Sequence, residues 1–139
     1  MANVDAPNGL KAVRHLTGGA IRTEEFKIAS GLSTAIFTGD CVKLLGTGYI
    51  DECDAGDRIL GVFAGCSYAN SSGEQVFSRQ WTASATTQGS VDVTAYVYSD
   101  PQIVFAVQSA GSADFADIGQ LADIVATAGD TNTGQSKHE

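Results

Sequence analysis

The alternation of apolar and polar positions is clearest between Val91 and Val107. Val91, Val93, Ala95 and Val97 alternate with Asp92, Thr94, Tyr96 and Tyr98, the period-two pattern of a half-buried strand. Ile103, Phe105 and Val107 repeat it beyond an Asp100-Pro101 turn, so the two runs are expected to form an antiparallel hairpin. Upstream, Phe26 and Ile28 flank Lys27, and Ile36-Phe37 follows the Ser30-Gly31 break. Gly39-Asp40 turns the chain into an expected strand at 41–45, and Gly46-Thr47-Gly48 returns it through Tyr49-Ile50. Residues 59–65 are the most apolar run. Its glycines and Val62 favour a buried strand over a helix, with Gly61 marking a bulge or a close backbone approach. Asn70-Ser71-Ser72-Gly73 reads as a loop, after which Val76, Phe77 and Trp81 resume order.

Three segments break this rhythm. Residues 1–20 carry Pro7, Asn8-Gly9 and Gly18-Gly19, and apolar residues such as Val4, Leu10, Val13 and Leu16 are sparse there. They read as an extended arm that must lie on its own domain or on a neighbour. In residues 112–126, Phe115, Ile118, Leu121 and Val125 share one helical face, although Gly119 costs a helix about 1 kcal/mol relative to Ala. A turn of helix followed by a strand at 122–125 is expected there. From residue 128 the chain is polar, with turns at Gly129-Asp130 and Thr133-Gly134. The expected organisation is an arm (1–20), a β-rich body (21–127) and a polar tail (128–139), without internal repeats. The elements together predict a mainly β chain with at most one short helix.

Composition narrows the picture. The 139 residues suit one domain and are enough to bury a core. The net charge of −8 is uneven: residues 1–43 hold five bases and four acids, the remainder three bases and twelve acids. An acidic body repels phosphate backbones, which disfavours nucleic acid as a partner and leaves the N-terminal segment as the place to meet one. No apolar run reaches the length of a membrane-spanning helix, and the opening residues lack a signal-peptide pattern, so assembly in the cytoplasm is the default expectation.

The chemistry searched for along the chain does not assemble. Cys41, Cys53 and Cys66 are spaced twelve and thirteen positions apart without a CxxC pair, and read as reduced buried thiols. His15 and His138 fall in the arm and the tail, poor platforms for a positioned base or a metal ligand. In the acidic loop, Asp51, Gly56 and Asp57 match positions one, six and seven of a calcium loop. Cys53, Ala55 and Val62 fail at positions three, five and twelve, which leaves a solvated turn. Gly46-Thr47-Gly48-Tyr49-Ile50-Asp51 puts Asp where a dinucleotide fingerprint needs Gly. Tyr96, Tyr98 and Phe105 would suit a base-stacking barrel, but Asp92 and Asp100 beside them favour packing. The expectation is a non-enzymatic chain with no cofactor, no metal and no catalytic residue.

Two stretches carry a family resemblance. Thr38-Gly39-Asp40-Cys41-Val42-Lys43-Leu44, followed by Arg58-Ile59-Leu60-Gly61-Val62-Phe63-Ala64-Gly65, resembles a strand pair in the head-decoration (cement) proteins of tailed bacteriophages. Residues 117–125 and 129–136, and the opening 2–10, resemble further stretches of phage structural proteins. The resemblance implies a small antiparallel β-barrel or β-tulip-like sandwich with an extended N-terminal arm. It implies a place on the outer capsid surface of a virion, where the chain clamps neighbouring subunits of the major capsid protein and stabilises the expanded head. It further implies a homo-oligomer, with a trimer favoured, and no nucleic-acid or membrane partner. On this view the capsid-facing residues are Leu10, Lys11, Val13, Arg14, His15, Leu16 and Arg22 of the arm. A head–tail connector or tail protein is the nearest alternative, and an oligonucleotide-binding β-barrel module is a further one.

Overall fold

The computed structural model describes residues 4–139 and is mainly β, so the first three residues of the expected arm lie outside the described part. Ten strands follow one another: β1 (Lys11–His15), β2 (Glu24–Ile28), β3 (Ile36–Phe37), β4 (Cys41–Leu44), β5 (Ile50–Glu52), β6 (Gly61–Ala69), β7 (Gln75–Ser78), β8 (Gln80–Trp81), β9 (Val93–Tyr98) and β10 (Ile103–Ala106). The main antiparallel sheet runs β2-β9-β6-β4-β5, with β7 also paired to β6. Two small ribbons, β1-β10 and β3-β8, complete the set. At the ends of the main sheet, Lys27 of β2 and Tyr49 beside β5 form a single parallel bridge. One bridge is not a ladder, and the sheet stays open.

The expected hairpin between the two alternating runs does not form. β9 already pairs β2 along one edge and β6 along the other, so no edge is left for β10. The Ile103 N–H donates to the Asp100 carbonyl at 3.2 Å, and this turn sends β10 to pair with β1 instead. Alternation reports which face of a strand is buried, not which strand lies beside it.

β6 organises the core. A Cβ on Gly61 would lie 2.3 Å from the Tyr98 carbonyl oxygen, so only glycine lets β6 pass β9 at that point. Past Phe63, which pairs Val97, the register slips by one residue, and Gly65 pairs Tyr96. This bulge returns Phe63 and Cys66 to the same face, three positions apart, despite the strand's period of two. Both join Ile28, Ile36, Val42, Ile50, Trp81, Val93, Ala95 and Val97 in the main core. Trp81 stacks edge-on against Tyr68 with centroids 5.4 Å apart, and its indole N–H donates to the Leu32 carbonyl at 3.2 Å. A smaller cluster of Cys41, Cys53 and Val62 is covered by Leu10, Tyr98, Phe105 and Ile124. The β1-β10 ribbon thus supplies part of the second core.

The N-terminal segment is held to its own body from Gly9 onward. The Leu10 N–H donates to the Gly39 carbonyl at 2.9 Å, and β1 is laddered to β10. From Gly9 to His15 the segment therefore lies on its own domain, one of the two placements expected for it. A register shift between Ala12 and Arg14 makes Val13 the extra residue of a bulge, and Val13 is exposed.

Residues 112–126 hold a turn of helix, as expected, but not the strand expected at 122–125. A single 3₁₀ turn spans Phe115–Asp117. Residues 109–123 are all exposed, so the apolar face of a helix would have nothing to pack on, and Gly119 sits at φ +82°. The segment is a hook tied down at both roots. The Gln108 amide donates to Asp5 at 2.7 Å and its oxygen accepts from the Ala6 N–H at 3.2 Å. At the other root Asp123 accepts from the Gly56 N–H at 3.1 Å, and Val125 and Glu139 exchange backbone hydrogen bonds of 2.7 and 3.3 Å. Residues 128–139, expected as a polar tail, are instead packed against the body, with Ser136 and His138 fully buried.

Candidate functional site

The buried polar residues converge where this closing segment meets the turn before β4 and the end of β5. Asp40, at the β3-β4 turn, is fully buried. Its Oδ2 accepts from the Phe37 N–H at 2.7 Å, which fixes the carboxylate and leaves Oδ1 aimed into the protein without a hydrogen-bond partner. His138 Nε2 lies 3.4 Å from that oxygen and 2.9 Å from Glu52 Oε1. His138 is itself anchored, because its N–H donates to the Ser136 hydroxyl at 3.0 Å. Its Nδ1 accepts from the Cys41 N–H at 3.3 Å. A ring nitrogen that accepts carries no proton, so the imidazole proton is on Nε2 and is donated to Glu52. Glu52 keeps about a fifth of its side chain exposed and connects the cluster to solvent.

Burial pushes the Asp40 carboxyl above its ordinary value. The Ser136 hydroxyl, the Phe37 N–H and His138 pull it back in part, while Glu52 pushes it further up. Two carboxylates and one imidazole share this pocket, and no lysine or arginine among the described residues forms an ion pair with either acid. One carboxylate oxygen each of Asp40 and Glu52 and one ring nitrogen of His138 lie within 4.8 Å of one another. The expectation that His138 sits in a tail too loose to position anything is corrected by its burial and its three hydrogen bonds. No local signal marks it, because its partner Glu52 is 86 positions away.

The other candidates resolve separately. His15 Nε2 binds Asp100 at 2.9 Å and its Nδ1 faces the Thr17 hydroxyl at 2.8 Å, so the ring is committed away from every cysteine. Burial pushes the Cys41 and Cys66 thiols up to about 12 and that of Cys53 to about 11, which leaves none of them a thiolate at neutral pH. In the acidic loop, Lys43 Nζ lies 2.6 Å from Asp57 and 3.7 Å from Asp54. Its ammonium holds the Asp57 carboxyl below its ordinary value, and the calcium-like spacing is spent on this ion pair.

Of the arm residues, Leu10 covers the second core, while Lys11, Val13, Arg14, Leu16 and Arg22 are exposed and His15 is half-buried. No acidic residue occurs between Asp5 and Glu24, so this is a base-bearing strip on an acidic chain. The hook has the opposite character. Phe115 is 90 % exposed, Ile118 72 % and Leu121 101 %, flanked by Asp114 and Asp117, with no lysine or arginine between Arg79 and Lys137. The spacing of its apolar residues was legible in the sequence, but their exposure was not. Among the described residues, no helix is long and apolar enough to cross a membrane. No protein-family model, curated protein or solved structure matches this chain.

Proposed function

We propose that this chain is a non-enzymatic structural protein of a tailed-phage virion that decorates the outer capsid surface and clamps neighbouring capsid subunits. The resemblance of residues 38–44 and 58–65 to head-decoration proteins names the class. The observation that carries the reading is the hook, which holds three large apolar side chains in water between two fixed roots. Apolar groups displayed in this way serve an interface rather than the fold. The base-bearing strip gives a second contact of different chemistry. Two contacts on one rigid body let either rebind while the other holds, which is how a clamp gains strength beyond each contact alone. The hook takes over the reaching role that the sequence suggested for residues 1–20. The single bridge between Lys27 and Tyr49, at opposite ends of the open main sheet, is what supports a barrel-like or tulip-like description of the body.

Co-sedimentation with DNA-filled heads and with undecorated expanded shells tests the reading. Saturable binding at a fixed ratio per capsid subunit is expected. The combined variant Phe115→Ser, Ile118→Ser, Leu121→Ser should remain folded by circular dichroism and lose most of that binding. A folded wild-type protein that binds neither particle overturns the proposal and favours a connector or tail role.

A further inference from the structure

We propose that Asp40 Oδ1, Glu52 Oε1 and His138 Nε2 form a binding site for one divalent transition-metal ion, with zinc as the representative. The proposal is independent of the capsid reading. Its first support is the Asp40 Oδ1, a carboxyl oxygen of a fully buried residue that has no hydrogen-bond partner and lies 3.4 Å from His138 Nε2. An ionised carboxylate oxygen in that position costs several kcal/mol unless a cation meets it. Its second support is spacing. Ligands held about 2.0–2.2 Å from a tetrahedral zinc ion lie about 3.4 Å from one another. The Nε2 to Oδ1 and Nε2 to Oε1 distances are 3.4 and 2.9 Å. Its third support is charge, because two carboxylates and a neutral imidazole balance a dication.

The surroundings supply what a metal site needs beyond its ligands. The Phe37 N–H locks Asp40 through Oδ2, and Ser136 locks the backbone of His138. The exposed part of Glu52 gives a way in and room for water as the fourth ligand. Loading has one definite cost. The metal takes the place of the Nε2 proton, and the neutral ring then carries its proton on Nδ1. The Cys41 N–H must give up its bond to that nitrogen, which at 3.3 Å is the longest of the hydrogen bonds that hold the cluster. One proton thus moves from Nε2 to Nδ1, and any proton on Asp40 leaves to solvent.

The test uses the full chain, purified in the presence of a chelator, dialysed free of it and titrated with zinc ion and with cobalt(II) ion. Calorimetry should show one zinc ion per chain and a raised Tm. The cobalt form should show visible bands of a nitrogen–oxygen site without the near-ultraviolet band of a thiolate ligand, which separates this site from Cys41, Cys53 and Cys66. Proton NMR should show His138 change from the Nε2–H to the Nδ1–H tautomer. Glu52→Gln, at the partly exposed position, should keep the fold and weaken zinc binding by more than roughly tenfold, the lower end even for a residue that only supports a ligand. Asp40→Asn should do the same. Absence of one-to-one zinc binding by the folded chain overturns the proposal, and so does binding that both variants leave unchanged. A thiolate band overturns it as well.

Discussion

The hook and the closing segment lie side by side, joined through Val125 and Glu139, and handle their side chains in opposite ways. Between residues 109 and 123 nothing is buried, although Phe115, Ile118 and Leu121 are among the larger apolar side chains of the chain. Between residues 134 and 138, Gly134, Ser136 and His138 are buried, although that stretch is polar. The difference lies in the backbone. The closing segment is bonded to the body at nearly every turn, from Thr38 to Gly134, Ser136 to Thr38 and Glu139 to Val125. The hook is bonded to the body only at its roots, its other hydrogen bonds, such as those of the turn at Phe115–Asp117, being local. Polar groups can be buried where each finds a partner, and apolar groups stay in water where no surface is offered to them. The closing segment therefore belongs to the fold, and the hook to whatever the protein meets.

Deleting each region should separate these roles most widely. Removing residues 128–139 strips the Cys41 N–H of its acceptor and leaves Asp40 and Glu52 without His138. Each buried polar group left unpaired costs about 1–3 kcal/mol. Three such losses amount to about 3–9 kcal/mol and lower Tm by about 10–30 °C for a chain of this size. Replacing Phe115, Ile118 and Leu121 with serine should change stability by less than about 0.5 kcal/mol, since these side chains are exposed and none of them joins either core cluster. Thermal denaturation of both proteins checks the contrast, and equal losses would dissolve it.

Single glycines give a smaller version of the same contrast. A Cβ on Gly129 would lie 2.5 Å from the Phe37 ring and 2.7 Å from the Gln135 carbonyl oxygen. Gly129→Val should cost about 3 kcal/mol through overpacking. Gly119, in the hook, has open space around it but φ +82°. Gly119→Ala should cost about 1 kcal/mol, the backbone penalty alone. Urea denaturation of the two variants measures the difference.

Much of the body was legible in the sequence, and for identifiable reasons. The strands around Phe26, Cys41, Ile50, Val62 and Val93 follow from apolar periodicity and glycine punctuation, and Gly61 was legible as a bulge or a close backbone approach. Partner choice was not legible. β10 leaves β9 for β1 because both edges of β9 are taken, a fact that lives in the sheet order. The Asp40–Glu52–His138 cluster was hidden for a related reason. Each residue is unremarked in its own segment, and only the folding back of residues 128–139 brings the histidine to two acids. The hook inverts the problem, because its helical spacing is real but the chain offers no surface for that face.

The smallest effect isolates burial from tethering. Cys66 lies in the main core, and burial raises its thiol to about 12. The unfolded chain begins to ionise this thiol near pH 9, whereas the folded chain holds it neutral until the higher value. Its contribution to stability is therefore fully present below about pH 9 and is lost as pH rises toward 12. At pH 9.5 the loss for one thiol is about 0.8 kcal/mol relative to pH 7. Cys66→Ala removes the titrating group while every other ionisable residue stays, so the stability gap between wild type and variant should narrow by that amount between pH 7 and 9.5. Urea denaturation at the two pH values reads it directly. A gap that does not change with pH would mean that the thiol ionises equally in both states, and that the core around Cys66 admits water as freely as the hook does.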